Sequence, residues 1–212
     1  MRDFDLKLAK RFKAMNQQKD QQMRESEQGE ALTDGSVSHV EKATDYQDFI
    51  PQIKKNRVRL NRQNYTFDVY DFFDQKIKLS LRRNHFRPLF DEKEDQKVQF
   101  YHEQGSFFHM SLHERPMPYK SLIFYQLDLL QHYKEINVPV TWLKSEQTDD
   151  VLYVRYRIVA KDGPYHMIRF SGAITDHLSF DGSFIVPEGE QQQWLSVYEA
   201  SLHLIKITKE VE

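Results

Sequence analysis

Two tripeptides of the form H-x-S stand out as residues that could do chemistry, His109-Met110-Ser111 and His177-Leu178-Ser179. On a strand, side chains at i and i+2 point the same way. Each tripeptide would therefore present an imidazole and a hydroxyl on one face. Two such pairs facing one cleft could clasp a phosphate, one histidine acting as base and the other as acid.

The two tripeptides, with apolar neighbours at Leu112 and Phe180, resemble the two-histidine phosphoesterases. The resemblance implies His109, Ser111, His177 and Ser179 as catalytic residues on strands flanking a cleft. The first motif has the sequel that the resemblance implies: a strand, a short loop and an amphipathic helix. The second departs from it. The family places a helix ahead of its second motif, whereas 138–175 reads as strands, and Asp181-Gly182 follows as a turn signal.

A second set is His102, His109 and His113 with Glu103 or Glu114. His109 and His113 have the i, i+4 spacing of a helical zinc site, but Met110 follows His109, so no H-E-x-x-H motif exists. On a strand those two histidines stand about 13 Å apart and cannot share one ion. His102 and His109 could meet diagonally across a hairpin, but two ligands are not a site. The reading assigns no metal and no cofactor.

A third set is basic. Arg82, Arg83 and Arg87 cluster with His85 and Phe86, and Arg155 and Arg157 alternate with Tyr153 along one strand face. A basic strand face with a tyrosine can hold a nucleic-acid backbone and stack bases. Yet 30 Lys plus Arg stand against 32 Asp plus Glu, and the formal charge is −2. Nucleic acid remains an alternative that this balance does not favour.

The fourth set is apolar. Phe4, Leu8, Phe12 and Met15 follow i, i+4, i+8, i+11 spacing, which places them on one stripe of a helix. Lys7, Lys10, Arg11 and Lys13 fall largely elsewhere. Such a stripe suits a helix docking in a partner's groove, packing onto a second copy or onto the chain's own body, or lying on a membrane surface, the last weakened by the lack of Trp.

Only Phe4, Phe12, Tyr46 and Phe49, of 28 aromatic residues, precede Asn56. The sequence thus divides into a polar helical arm and linker, 1–56, and a body, 57–212. Residues 1–24 are basic and 25–56 acidic. A body of this size folds without staples. The chain contains no cysteine, which removes disulfides and thiolate chemistry and suits a reducing compartment. No apolar run reaches the length of a membrane span, and the first residues lack the apolar core of a secretory signal. These features predict a cytoplasmic protein, or one assembled into a particle from the cytoplasm.

The body's elements follow from periodicity. Period-two patterns predict strands at 65–69 and 76–82, and a hairpin of 97–103 with 106–113 closed at Gln104-Gly105. In that register Phe100 faces His109. Val98, Phe100 and His102 share a face with Phe107, His109 and Ser111. Helical spacing predicts 119–136, with Leu122, Ile123, Leu127, Leu130 and Tyr133 buried. Strands follow at 138–144, 151–161, 165–175 and, briefly, 183–186. A last helix over 190–206 carries the stripe Trp194, Val197, Tyr198, Leu202, Ile205. The fold class is α+β: two meander-like antiparallel runs packed against two amphipathic helices, with the arm N-terminal.

With no P-loop, nucleophile elbow or dinucleotide fingerprint in the chain, the reading favours a non-enzymatic interaction or assembly protein. Its arm is expected to dock on another subunit or partner protein, so a homo-oligomer or a protein complex is the expected state.

Overall fold

The computed structural model describes residues 45–88, 96–102, 105–119, 121–160, 163–188 and 193–208. The described part begins with a 3-10 turn, Tyr46–Asp48, whose first free amide is capped by Asp45. Helix α1 (Ile50–Lys54) follows, with Pro51 in its first turn, where a missing N–H costs nothing. Phe49 and Ile53 from this segment are buried in the core, so packing extends upstream of Arg57. The arm stripe Phe4, Leu8, Phe12 and Met15 lies outside the described residues.

Among the described residues the strands form two antiparallel sheets. Strands β1 (Arg57–Leu60), β2 (Gln63–Phe72) and β3 (Ile77–Arg82) form a small sheet. Strands β4 (Arg87–Pro88), β5 (Lys97–Tyr101) and β6 (Phe107–His113) belong to a larger one. Helix α2 (Leu122–Glu135) then leads to β7 (Val140–Gln147), β8 (Val151–Ala160), β9 (Gly163–Ala173) and β10 (Ser179–Pro187). Helix α3 (Gln193–His203) and β11 (Lys206–Ile207) close the chain, β11 pairing with β3. The large sheet runs β4-β5-β6-β10-β9-β8-β7, so β10 joins the two strand runs. The mixed architecture with antiparallel strands matches the expected α+β class, but the first strand run is shared between two sheets.

Alternation along each strand gives the large sheet two different faces. Its inner face packs on α3 and the small sheet. Phe108, Met110, Tyr153, Ile168, Phe170 and Phe184 meet Val197, Tyr198 and Leu202 of α3 there, with Leu79 and Leu81 of β3 in the same cluster. Each such fully buried side chain contributes roughly 1.5–3 kcal/mol. The expected α3 stripe Trp194, Val197, Tyr198, Leu202, Ile205 is buried throughout.

Three expectations are corrected. The β5–β6 hairpin pairs Phe100 with Phe108 and Gln99 with His109, one residue from the expected register. Its connection is a three-residue loop: the His102 amide donates to the Ser106 carbonyl, and Gly105 takes a positive φ of 94°. Since side chains alternate, that single slip moves His109 and Ser111 to the face opposite Phe100.

Strand β10 runs nine residues instead of four, and Asp181-Gly182 lies in its middle. Gly182 is there for space. A Cβ would stand 2.5 Å from the His109 carbonyl oxygen and closer still to the Phe170 ring.

Helix α2 faces the other way. It buries Tyr125, Leu129 and Tyr133 and leaves Ile123, Leu127 and Leu130 exposed.

Candidate functional site

The outer face of the large sheet carries a polar patch beside buried apolar side chains such as Phe107, Met167 and Ile185. Alternation places His109, Ser111 and His113 of β6 there, beside Asp181 and Ser183 of β10 and Arg169 of β9. The Asp181 carboxylate takes His113 Nε2 at 2.9 Å and faces an Arg169 Nη at 3.7 Å. Burial would raise the Asp181 carboxyl, but the His113 hydrogen bond and the Arg169 guanidinium outweigh it and hold it below its ordinary value. Ser183 Oγ lies 2.8 Å from His109 Nδ1. Burial pushes the His109 imidazole down to about 4, against the pull of Asp181.

Helix α2 roofs this face with tyrosines. The Tyr133 and Tyr156 hydroxyls meet at 2.9 Å, and the Tyr119 ring lies 4.6 Å from that of Tyr125. The Tyr125 hydroxyl is buried with no hydrogen-bond partner among the described residues.

Helix α2 turns Tyr125, Leu129 and Tyr133 toward the sheet and its aliphatic side out. Ile123, Phe124, Leu127 and Leu130 are 67, 61, 55 and 40% exposed. Together they form one contiguous stripe of large apolar groups on a helix surface. Asp128, Lys134 and Glu135 are exposed around it.

The inner face carries a second polar set at its β7 edge. Glu146 Oε1 and Oε2 accept from the Tyr46 and Tyr153 hydroxyls at 3.0 and 2.7 Å, and Lys144 Nζ lies 2.7 Å away. The His203 ring stacks on Tyr46 at 4.4 Å. Glu199, 2% exposed, lies 3.6 Å from Arg155 and 3.9 Å from Lys144. Burial raises its carboxyl, with those cations opposing. The set ties the segment at Tyr46 to β7, β8 and α3.

The H-x-S residues do not converge. Adjacent strands β6 and β10 do carry three of them, with Ser111 opposite Asp181 and Ser179 opposite His113. His109, however, lies opposite Ser183, six residues along β10 from His177, which is about 20 Å. His177 is exposed in the turn before β10, and Ser179 donates to the Arg115 carbonyl. One phosphate cannot bridge His109 and His177.

The histidine trio also separates. His102 stacks on His85, while His109 and His113 are on the outer face with partners of their own. No group of three metal-ligating side chains occurs among the described residues.

The arginines are largely engaged in place. Arg82 lies over the Tyr65 and Trp194 rings, at 4.2 and 4.9 Å from their centroids. Arg83 makes two 2.6 Å hydrogen bonds to Asp68. Arg157 makes two to Glu188, at 2.9 and 2.7 Å, and Arg155 faces Glu199 on the covered side of the sheet. Arg87 is exposed on β4, at the opposite edge of the large sheet from β7. A guanidinium held by a carboxylate fork has those donors spent.

The outward stripe of α2 was the residue set that sequence reasoning missed. Its signal was the tyrosine spacing Tyr125, Leu129, Tyr133, a second stripe on the same helix.

No helix among the described residues is long and apolar enough to cross a membrane. No family model matches the chain, and no curated protein matches it in sequence. The solution structure of cyanobacterial PsbP (CyanoP) from Synechocystis sp. PCC 6803 aligns at a TM-score of 0.53 and 10% identity, over 82% of this chain and 98% of that one. A protein of unknown function from Pseudomonas aeruginosa aligns at 0.44 and 8% identity, over 68% of this chain and 99% of that one. A Bacteroides thetaiotaomicron VPI-5482 protein aligns at 0.38 and 17% identity, over 65% and 47%. The last two are too distant to carry an argument. The chain is similar to cyanobacterial PsbP in fold alone.

Proposed function

We propose that this is a non-enzymatic interaction protein, which assembles with another subunit or partner protein through its N-terminal arm and the outward face of α2. One observation carries the reading: α2 turns Ile123, Phe124, Leu127 and Leu130 to solvent while its tyrosines face the sheet. Covering those side chains is favourable at roughly 25 cal/mol per Å² of apolar surface. The spacing of Phe4, Leu8, Phe12 and Met15 supplies a second apolar stripe. On this reading the protein works in the cytoplasm or in a particle assembled there, which the absence of cysteine would suit.

The test compares the full chain with one lacking residues 1–43, by light scattering and by pull-down. The deletion stops there because Thr44–Glu212 forms one compact unit and Phe49 and Ile53 belong to its core. Fewer copies per assembly or lost partners on deletion is the expected result. An equal number of copies and equal partners for the two chains would remove the arm from the function. A Leu127→Glu chain that also kept every partner would remove α2.

A further inference from the structure

We propose that the outward face of α2 is covered by the arm tip of a second copy of this chain. The inference rests on the assembly reading above and names the occupant of that surface.

Three observations select the occupant. The first is pattern. The acceptor offers Ile123, Leu127 and Leu130 at i, i+4, i+7, with Phe124 beside them. The arm offers Phe4, Leu8, Phe12 and Met15 at i, i+4, i+8, i+11. Four anchors meet four, as when an amphipathic helix lays its apolar side along another.

The second is charge. Residues 1–24 carry a net charge of +4 and residues 57–212 a net charge of −2. Beside the apolar stripe the exposed Asp128 and Glu135 outnumber Lys134, so a basic arm tip meets a slight acidic excess there. The third is reach. Residues 16–44 separate the stripe from Asp45. That connector spans at most ~100 Å, so a neighbouring body is within range.

Exchange would also enlarge the contact. One short helix on one helix falls below the ~800 Å² per partner of a stable interface. Two copies exchanging arms make the same contact twice, and exchange of an identical element is a low-cost route to a dimer.

The chain contains no cysteine, so a single introduced thiol is a clean reporter. Full-length Leu8→Cys and Leu127→Cys chains are prepared separately, mixed and mildly oxidised. Asp149→Cys, in an exposed turn, replaces Leu127→Cys as the control. The expected product is a mixed disulfide, about tenfold or more above the control because docking raises the local thiol concentration. Adding Phe4→Glu and Phe12→Glu to the arm should abolish that excess.

A Leu127→Cys homodimer in place of the mixed product would overturn the inference in favour of α2 against α2. A Leu8→Cys/Leu127→Cys chain closing only on itself, at monomer mass, would overturn the second copy. Cross-linking no greater than the control would overturn the occupant altogether. Light scattering on the wild-type chain separates the two readings. An oligomer without the cross-link leaves assembly standing and removes this acceptor, whereas a monomer that captures no protein removes both.

Discussion

The imidazole rings of His85 and His102 stack with centroids 3.8 Å apart and planes 26° from parallel. His85 comes from the turn after β3 and His102 from the end of β5, so the stack joins the two sheets. Arg82 Nη1 lies 3.2 Å from His85 Nδ1. A guanidinium only donates, so His85 Nδ1 accepts and its proton sits on Nε2. Burial foremost, then His102 and Arg82, push this imidazole down to about 3.

Acid should therefore weaken the fold. A base with a depressed folded pKa contributes stability that is fully present above its unfolded value, near 6.5, and is lost as pH falls toward about 3. His109, held at about 4, acts in the same direction. Urea midpoints should drop between pH 7 and about pH 4.5 in the wild type, and drop less in His85→Phe. Equal drops in both chains would show that the stacked histidine is not what acid attacks.

The tyrosines under α2 should respond in opposite senses. Tyr133→Phe leaves the buried Tyr156 hydroxyl without its 2.9 Å partner and should cost about 1–2 kcal/mol. Tyr125→Phe removes a buried hydroxyl that has no partner among the described residues, and should be neutral or stabilising by up to about 1 kcal/mol. Equilibrium unfolding of the two variants side by side decides it. A larger loss in Tyr125→Phe would mean that its hydroxyl is satisfied after all.

The orientation of α2 can be read from two leucines. Leu129 is 1% exposed and Leu127 is 55% exposed. In the chain lacking residues 1–43, Leu129→Ala should cost about 2–4 kcal/mol, and Leu127→Gln no more than about 0.5 kcal/mol. Thermal melts would show the reverse order if the helix were turned as its aliphatic spacing first suggested.

Gly182→Ala should be among the most damaging single-methyl changes in the chain. The new Cβ would meet the Phe170 ring and the His109 carbonyl in the middle of β10. An overpacked core loses about 1–3 kcal/mol, and a backbone carbonyl cannot move aside as a side chain can. A variant as stable as wild type in urea would mean that β10 and β6 separate more easily than their pairing implies.

Much of this architecture is legible in the sequence. The period-two runs mark most of the long strands, and the stripe from Trp194 to Ile205 names residues that are buried, although α3 is buried on all sides from Trp194 to Leu202. What is lost is what neighbours decide. Asp181-Gly182 carries the local signal of a turn, but a glycine also serves where two backbones and a ring converge. Gln104-Gly105 suggests a two-residue turn, and the three-residue loop differs by one residue, enough to exchange the faces of His109 and Phe100.

Helix α2 carries two competing stripes, one aliphatic and one of tyrosines. Hydrophobicity alone ranks the aliphatic stripe first. The sheet face beneath decides otherwise, and that face is composed in part of residues 34 or more positions further along the chain, Arg169, Asp181 and Ser183. The same long-range pairing separates His109 from His177, which tripeptide spacing alone could not reveal.

Tyr46 gives the body a mechanical property. Any tension applied through the N-terminal segment reaches the described body beside this ring, stacked on His203 and hydrogen-bonded to Glu146. The contacts join the strain point to an edge strand and a helix at once, so load is divided before it reaches Phe49 and Ile53.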